Sequence, residues 1–273
     1  MLTVQELFDS DPFLHDNSAE KEEIEKPQLF APIRNPASLC PALSASTNLM
    51  NYKKGTTTLG FIFQGGIILA VDSRASMGNF ESSNDVRKVV HINDRVLGTL
   101  AGGAADCQFW LRVLQKDISV YELQNKMPIS VLGVARKLAN ISYQYKNNGL
   151  QMGMKIAGWD DKGPQLYLTD SEGNFISANV ISVGSGSTYA YGILDSYLRH
   201  NMSLDEAVEL GVRAIATATH MDSGSGGVVR VYHITKNSYK CIHEGIDVNK
   251  LHYQFENQKG LVGDQDETNG KLV

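Results

Sequence analysis

Residues 54–71 read KGTTTLGFIFQGGIILAV. Thr57 to Phe63 is rich in threonine and apolar residues, the composition that favours strand geometry. Gly65-Gly66 can reverse the chain into a second apolar run, Ile67 to Val71, so the stretch predicts a β-hairpin. Lys88 to Ile92 and Val96 to Ala101 form another such pair, joined at Asn93-Asp94. The domain therefore opens with an antiparallel sheet.

Outward from this hairpin the pattern alternates. Ala104 to about Leu123 places Trp110, Leu111, Val113 and Leu114 at helical spacing, and Ser130 can cap a helix running to about Tyr145. Strands are expected at Gln151 to Trp159, Gln165 to Thr169 and Phe175 to Val183, punctuated by a turn over Asp170 to Asn174. A helix is expected from about Ser187 to Leu198. Another starts at Ser203, with Glu206 placed to complete a capping box. Val228 to Ile234 and Tyr239 to His243 return as strands. This order predicts an α+β fold, two stacked sheets covered by helices on both faces, in four layers αββα.

The first 54 residues differ. They hold five of the seven prolines and the acidic run Glu20 to Glu25, which reads as a mobile extension. Leu2, Val4, Leu7 and Phe8 could line one side of a short docking element. The tail from Gln258 is polar and reads as disordered.

Bulk properties narrow the function. A net charge of −5 argues against a nucleic-acid binder, which would carry a basic stripe. Three scattered cysteines without CxxC argue against a disulfide framework. Seven histidines without HExxH argue against a zinc site. No apolar run reaches the roughly 18 residues that span a bilayer, and no secretory signal is present. A soluble, intracellular protein is expected.

Chemistry could sit in several segments. Gly55-Thr56 reads either as a plain strand start or as a self-cleavage junction. On the second reading, Thr56 becomes an N-terminal residue whose α-amine, with a pKa of roughly 7.7–8, serves as its own base. Gly55 supplies the freedom for a bent junction. Asp72, at a strand end, and Lys88, at a strand start, are either surface charges or partners. A lysine beside the hydroxyl would favour its anionic form, and a carboxylate would hold that lysine charged. Gly102-Gly103 before a helix is either packing or an oxyanion hole. Gly184-Ser185-Gly186 lacks the lysine of a phosphate loop. Asp222 and Ser225 read by themselves as turn residues.

Together these segments resemble the proteasome beta subunits of the N-terminal nucleophile hydrolase superfamily, the type-5 group most closely. The resemblance is carried by Gly55-Thr56-Thr57-Thr58-Leu59, Ala70 to Ser76, Gly102 to Cys107, Gly184-Ser185-Gly186, Thr188 to Gly192 and Asp222 to Gly227, and covers about residues 55–255.

The resemblance implies a threonine endopeptidase. Thr56 would be the nucleophile, Asp72 and Lys88 its charged partners, and Gly102 the oxyanion donor. Ser185, Asp222 and Ser225 would support the nucleophile and its amine. Ala75, Ser76, Val86, Val90, Leu100 and Ala104 would bind substrate. With Lys88 occupied, that pocket is apolar and implies cleavage after large hydrophobic residues. Residues 1–55 would be a propeptide, 56–257 the catalytic domain and 258–273 the tail. The implied partners are other alpha and beta subunits in stacked seven-membered rings, with unfolded polypeptides as substrate, in cytoplasm and nucleus. No nucleic acid, membrane, cofactor or metal is implied. The alternative is a catalytically silent structural beta subunit, which would lack the Gly-Thr junction or the lysine. A small-molecule amidohydrolase of the same superfamily is more distant.

Overall fold

A computed structural model of the chain describes residues 55–77, 80–146 and 150–258. The opening hairpin is β1 (Thr57–Phe63) and β2 (Gly66–Val71), paired from Thr58 opposite Val71 to Phe63 opposite Gly66. The reversal falls on Gln64-Gly65, one residue before the expected position. Gly66 is already paired, and its φ of +134° explains the glycine there.

Two further strands, β3 (Ala75–Met77) and β4 (Phe80–Ser83), make a small separate sheet. The next two are β5 (Val89–Asn93) and β6 (Val96–Thr99). Helices α1 (Ala104–Asn125) and α2 (Val131–Gln144) follow. Then come β7 (Gly153–Asp160), β8 (Gly163–Asp170), β9 (Phe175–Ser177) and β10 (Val180–Gly184). Helices α3 (Ser187–Tyr197) and α4 (Leu204–Met221) lead to β11 (Val228–Ile234), β12 (Tyr239–Asp247) and α5 (Val248–Gln258).

The strands form two five-stranded antiparallel sheets, ordered β10-β1-β2-β11-β12 and β5-β6-β7-β8-β9. Ile67, Leu69, Leu97, Ala157, Leu166, Ile181 and Ile234, drawn from both sheets, make the layer between them. On its other face the first sheet packs Leu59, Phe61, Ile68 and Ala70 against α3 and α4 residues such as Leu194 and Ile215. The second sheet packs Ile92, Met154 and Ile156 against Leu111 and Leu114 of α1 and Val134 and Leu138 of α2. The result is the expected α+β sandwich in four layers.

This layering explains β2. All six of its residues are buried because helices cover one face and a sheet the other, so it shows no alternation. Each fully buried Ile or Leu there contributes about 2 kcal/mol.

Local signals set the helix starts. The Ser130 hydroxyl accepts from Gly133 N–H and caps α2. Ser203 and Glu206 form the full capping box of α4, with Ser203 N–H donating to Glu206 Oε2 at 2.8 Å. That bond holds the exposed Glu206 carboxyl below its ordinary pKa.

Three expectations change. The run Phe175 to Val183 is two strands, β9 in the second sheet and β10 in the first, and the chain crosses between sheets at Ala178-Asn179. The strand expected to stop at His243 runs to Asp247. Helix α5 then continues through Gln258, where a tail was expected to begin. The 1–54 extension and the rest of the tail lie outside the described residues. Among the described residues no helix is long and apolar enough to cross a membrane.

Candidate active site

The site lies where the two central strands of the first sheet meet the start of the second. Thr56 immediately precedes β1 and Asp72 immediately follows β2. Hairpin register therefore sets them side by side. Asp72 N–H donates to Thr57 O at 3.1 Å, and Thr57 N–H donates to Asp72 Oδ1 at 2.9 Å. Lys88 immediately precedes β5, and its carbonyl accepts from Leu100 N–H at 2.9 Å.

Lys88 Nζ stands 3.0 Å from Thr56 Oγ1 and 2.6 Å from Asp72 Oδ1. All three are buried: Thr56 is 8% exposed, Lys88 4% and Asp72 0%. The other carboxylate oxygen, Oδ2, accepts from Gly226 N–H at 3.1 Å and Arg74 N–H at 3.3 Å. Burial pushes the Lys88 ammonium below its ordinary pKa, and the Asp72 charge and hydrogen bond oppose that shift. Burial likewise raises the Asp72 carboxyl, against the pull of Lys88 and the Thr57 and Gly226 amides. The outcome is an ammonium fixed against a threonine hydroxyl and readier than a surface lysine to give up a proton.

A second cluster meets Thr56 from the opposite side. Its backbone N–H donates to Ser185 Oγ at 3.1 Å, and Ser185 Oγ donates to Asp222 Oδ2 at 2.5 Å. Ser225 Oγ donates to the same Asp222 oxygen at 2.6 Å and accepts from Thr57 Oγ1 at 2.8 Å. Ser185 comes from the β10–α3 turn, and Asp222 and Ser225 from the loop closing α4. Two segments widely spaced in sequence thus meet beside the Thr56 backbone nitrogen.

The junction itself is present. Thr56 Oγ1 donates to its neighbour's carbonyl, Gly55 O, at 2.5 Å. Beside it, Gly102 forms an isolated antiparallel bridge with Met152. The bonds of that bridge run from Gly103 N–H to Gln151 O and from Gly153 N–H to Ala101 O. In such a pair the central residue's own N–H points away from the partner strand. A φ of +105° makes glycine the residue for this place.

A pocket of about 220 Å³ opens there, lined by Thr56, Lys88, Gly102 and the predicted Ala75, Ser76, Val86, Leu100 and Ala104. Val90 does not line it. Val90 shares a face of β5 with Lys88, two residues before it, and packs against the core under α1 and α2.

Sequence reasoning missed Met77, Ser82, Arg74 and Ala101, which also line the pocket. Met77 and Ser82 belong to the β3–β4 hairpin, which carries no apolar alternation to reveal it. Arg74 is tied to Glu81 at 2.9 Å and to Asn84 Oδ1 at 3.1 Å. Thr57, the link between Ser225 and the strand, had no signal beyond strand propensity.

A sequence profile of the family described as proteasome subunit matches residues 52–234. The chain is 49% identical over 221 residues to the proteasome subunit beta type-5 of Spinacia oleracea, covering 81% of each chain. It is 52% identical over 198 residues to the beta type-5 subunit of Gallus gallus, covering 72% of this chain and 77% of that one. It is 51% identical over 201 residues to the proteasome subunit beta type-8 of Homo sapiens, covering 74% and 72%.

Proposed function

The chain belongs to the proteasome subunit family, and from that premise we propose that it is a threonine endopeptidase of the beta type-5 kind, cleaving after large hydrophobic residues. The observation that carries this reading is the Lys88 ammonium, 3.0 Å from Thr56 Oγ1 and itself anchored by Asp72 at 2.6 Å. A silent subunit has no use for a buried cation aimed at a threonine hydroxyl.

In this mechanism Thr56 is first freed from residues 1–55. Its hydroxyl attacks the Gly55 carbonyl carbon, and the Gly55–Thr56 C–N bond breaks as the new amine takes up a proton. One water then hydrolyses the resulting ester. It leaves a carboxylate on Gly55 and a hydroxyl on Thr56. The freed α-amine, held by Ser185 and through it by Asp222 and Ser225, becomes the base for later turnovers.

In turnover Thr56 Oγ adds to the substrate carbonyl while the Lys88 charge stabilises the developing alkoxide. Gly102 N–H accepts the role of donor to the oxyanion. The acyl-enzyme is released by water. The side chain before the scissile bond enters the pocket, where Ala75 and Ala104 leave depth and Val86 and Leu100 give apolar walls. Lys88 is engaged by Asp72 and presents no free charge. No metal or cofactor takes part in these steps.

As a proteasome subunit the chain assembles with other proteasome subunits. We place it in stacked seven-membered rings acting on unfolded polypeptides in cytoplasm and nucleus. Residues 1–55 then mask Thr56 until assembly closes the chamber.

The test is the intact mass and N-terminal sequence of this chain from the assembled particle, with Thr56→Ala alongside. A chain starting at Thr56, and a loss on the order of 10⁴-fold or more on a hydrophobic fluorogenic peptide in the variant, are expected. A chain still carrying Gly55, or full activity of Thr56→Ala in a particle with no other such subunit, would return the silent reading.

A further inference from the structure

The peptide before Thr56 is held by contacts that the turnover mechanism does not use. Gly55 N–H donates to Ser76 Oγ at 2.6 Å. The Gly55 backbone also lies directly on that of Gly224, in the loop between Asp222 and Ser225. A Cβ on Gly55 would run into Gly224 Cα, C and O.

The reverse contact is more informative. A Cβ on Gly224 would meet Gly55 Cα at 2.6 Å, a distance that real Cβ atoms do not show. The next atoms in its way are Asp222 Oδ1 and Ser185 Oγ, each at 3.4 Å, which is ordinary contact. Gly224 is not among the glycines with left-handed φ. Its backbone therefore accepts alanine. What stands against a side chain at position 224 is Gly55, a residue that leaves when Thr56 is freed.

We propose that Gly224 is a positioning residue for self-processing. With Ser76 it cradles the Gly55 peptide so that the carbonyl lies against Thr56 Oγ1, and it serves cleavage of this chain's own junction rather than turnover of other peptides. This rests on the reading that Thr56 is unmasked by removal of residues 1–55. It adds that the requirement for glycine at 224 ends with that event.

An alanine at 224 must push Gly55 away by about 0.8 Å to bring the contact from 2.6 to 3.4 Å. A misplacement of about 1 Å in a reacting group costs on the order of 10²-fold in rate. Gly224→Ala should slow processing by about that factor.

The experiment makes the subunit in two forms, each with and without Gly224→Ala, and isolates the assembled particle. One form is the full chain. The other is fused behind ubiquitin so that ubiquitin removal leaves Thr56 first, with residues 1–55 supplied as a separate chain. Intact mass over time reads processing, and a hydrophobic fluorogenic peptide reads turnover.

The full-length variant should persist as precursor about 10²-fold longer than wild type, while the pre-cleaved variant incorporates and turns over peptide as wild type does. Processing of the full-length variant at the wild-type rate would overturn the proposal. So would a pre-cleaved variant that fails to incorporate or is equally inactive, since Gly224 would then serve fold or turnover. A wild-type chain that itself retains Gly55 while its pre-cleaved form is active would instead sink the self-processing premise.

Discussion

Lys155 should weaken the fold at neutral pH, and replacing it with methionine should strengthen it. Its side chain is fully buried between the two sheets, where Nζ donates to Thr58 Oγ1 at 2.5 Å. Among the described residues it makes no ion pair. Burial alone drives its pKa well below the ordinary lysine value. The sign follows from proton binding. The unfolded chain, with a lysine pKa near 10.4, binds a proton that the folded chain resists, so stability rises with pH between the two values. Each pH unit in that window is about 1.4 kcal/mol. Methionine has a similar shape and no charge to desolvate. The Thr58 hydroxyl it would leave behind still donates to Val183 O at 3.3 Å. Replacing buried ionic groups by apolar ones of similar volume is often neutral or stabilising by about 1–4 kcal/mol, and an unpaired lysine belongs at the stabilising end. Urea unfolding of the full chain, followed by Trp110 and Trp159 fluorescence, should show Lys155→Met more stable at pH 7. The advantage should shrink by up to about 1.4 kcal/mol per pH unit towards pH 10. An advantage that stays constant across that range would refute the argument, because Lys155 would then titrate alike folded and unfolded.

Burial also lowers Lys88, so activity that needs its ammonium should fall away below the ordinary lysine range. Asp72→Asn removes the charge that opposes this shift. The alkaline limb of kcat/KM against pH should then move to lower pH, with activity down on the order of 10²-fold or more; an unmoved limb would contradict the pairing. Ala104→Val narrows the pocket. It should lower kcat/KM about tenfold or more for peptides with Phe or Tyr before the scissile bond, relative to Ala, and an equal loss on both would mean the pocket does not read that side chain. Ser203→Ala breaks the capping box and should cost about 1 kcal/mol in unfolding measurements, leaving the KM of the mature particle unchanged.

The sequence made the central strands and four helices legible because their signals are local: apolar β-branched runs, Ser130 and Ser203 caps, helical spacing around Leu111. It also exposed Thr56, Asp72 and Lys88 as polar residues at strand ends; hairpin register sets the first two together, and the stacking of the two sheets brings Lys88 to them. What it hid depends on distant neighbours. Phe80 to Ser83 is fully exposed, so β4 has no pattern to read. In α5, among the residues whose burial is described, only Leu251 is buried in the core. Val90 was assigned to the pocket through the resemblance; it lies on the same face as Lys88 but packs against the core under α1 and α2. Lys155 and the Gly55–Gly224 contact exist only once the sheets and loops are stacked.

The strand that carries Thr56 is held on both edges, by β10 and by β2, and is buried along most of its length. Segments bound this way exchange their amide hydrogens last, in the openings that unfold the whole domain. The hydroxyl proposed as nucleophile is therefore mounted on ground that does not yield. Amide exchange should find β1 as quiet in the working particle as at rest.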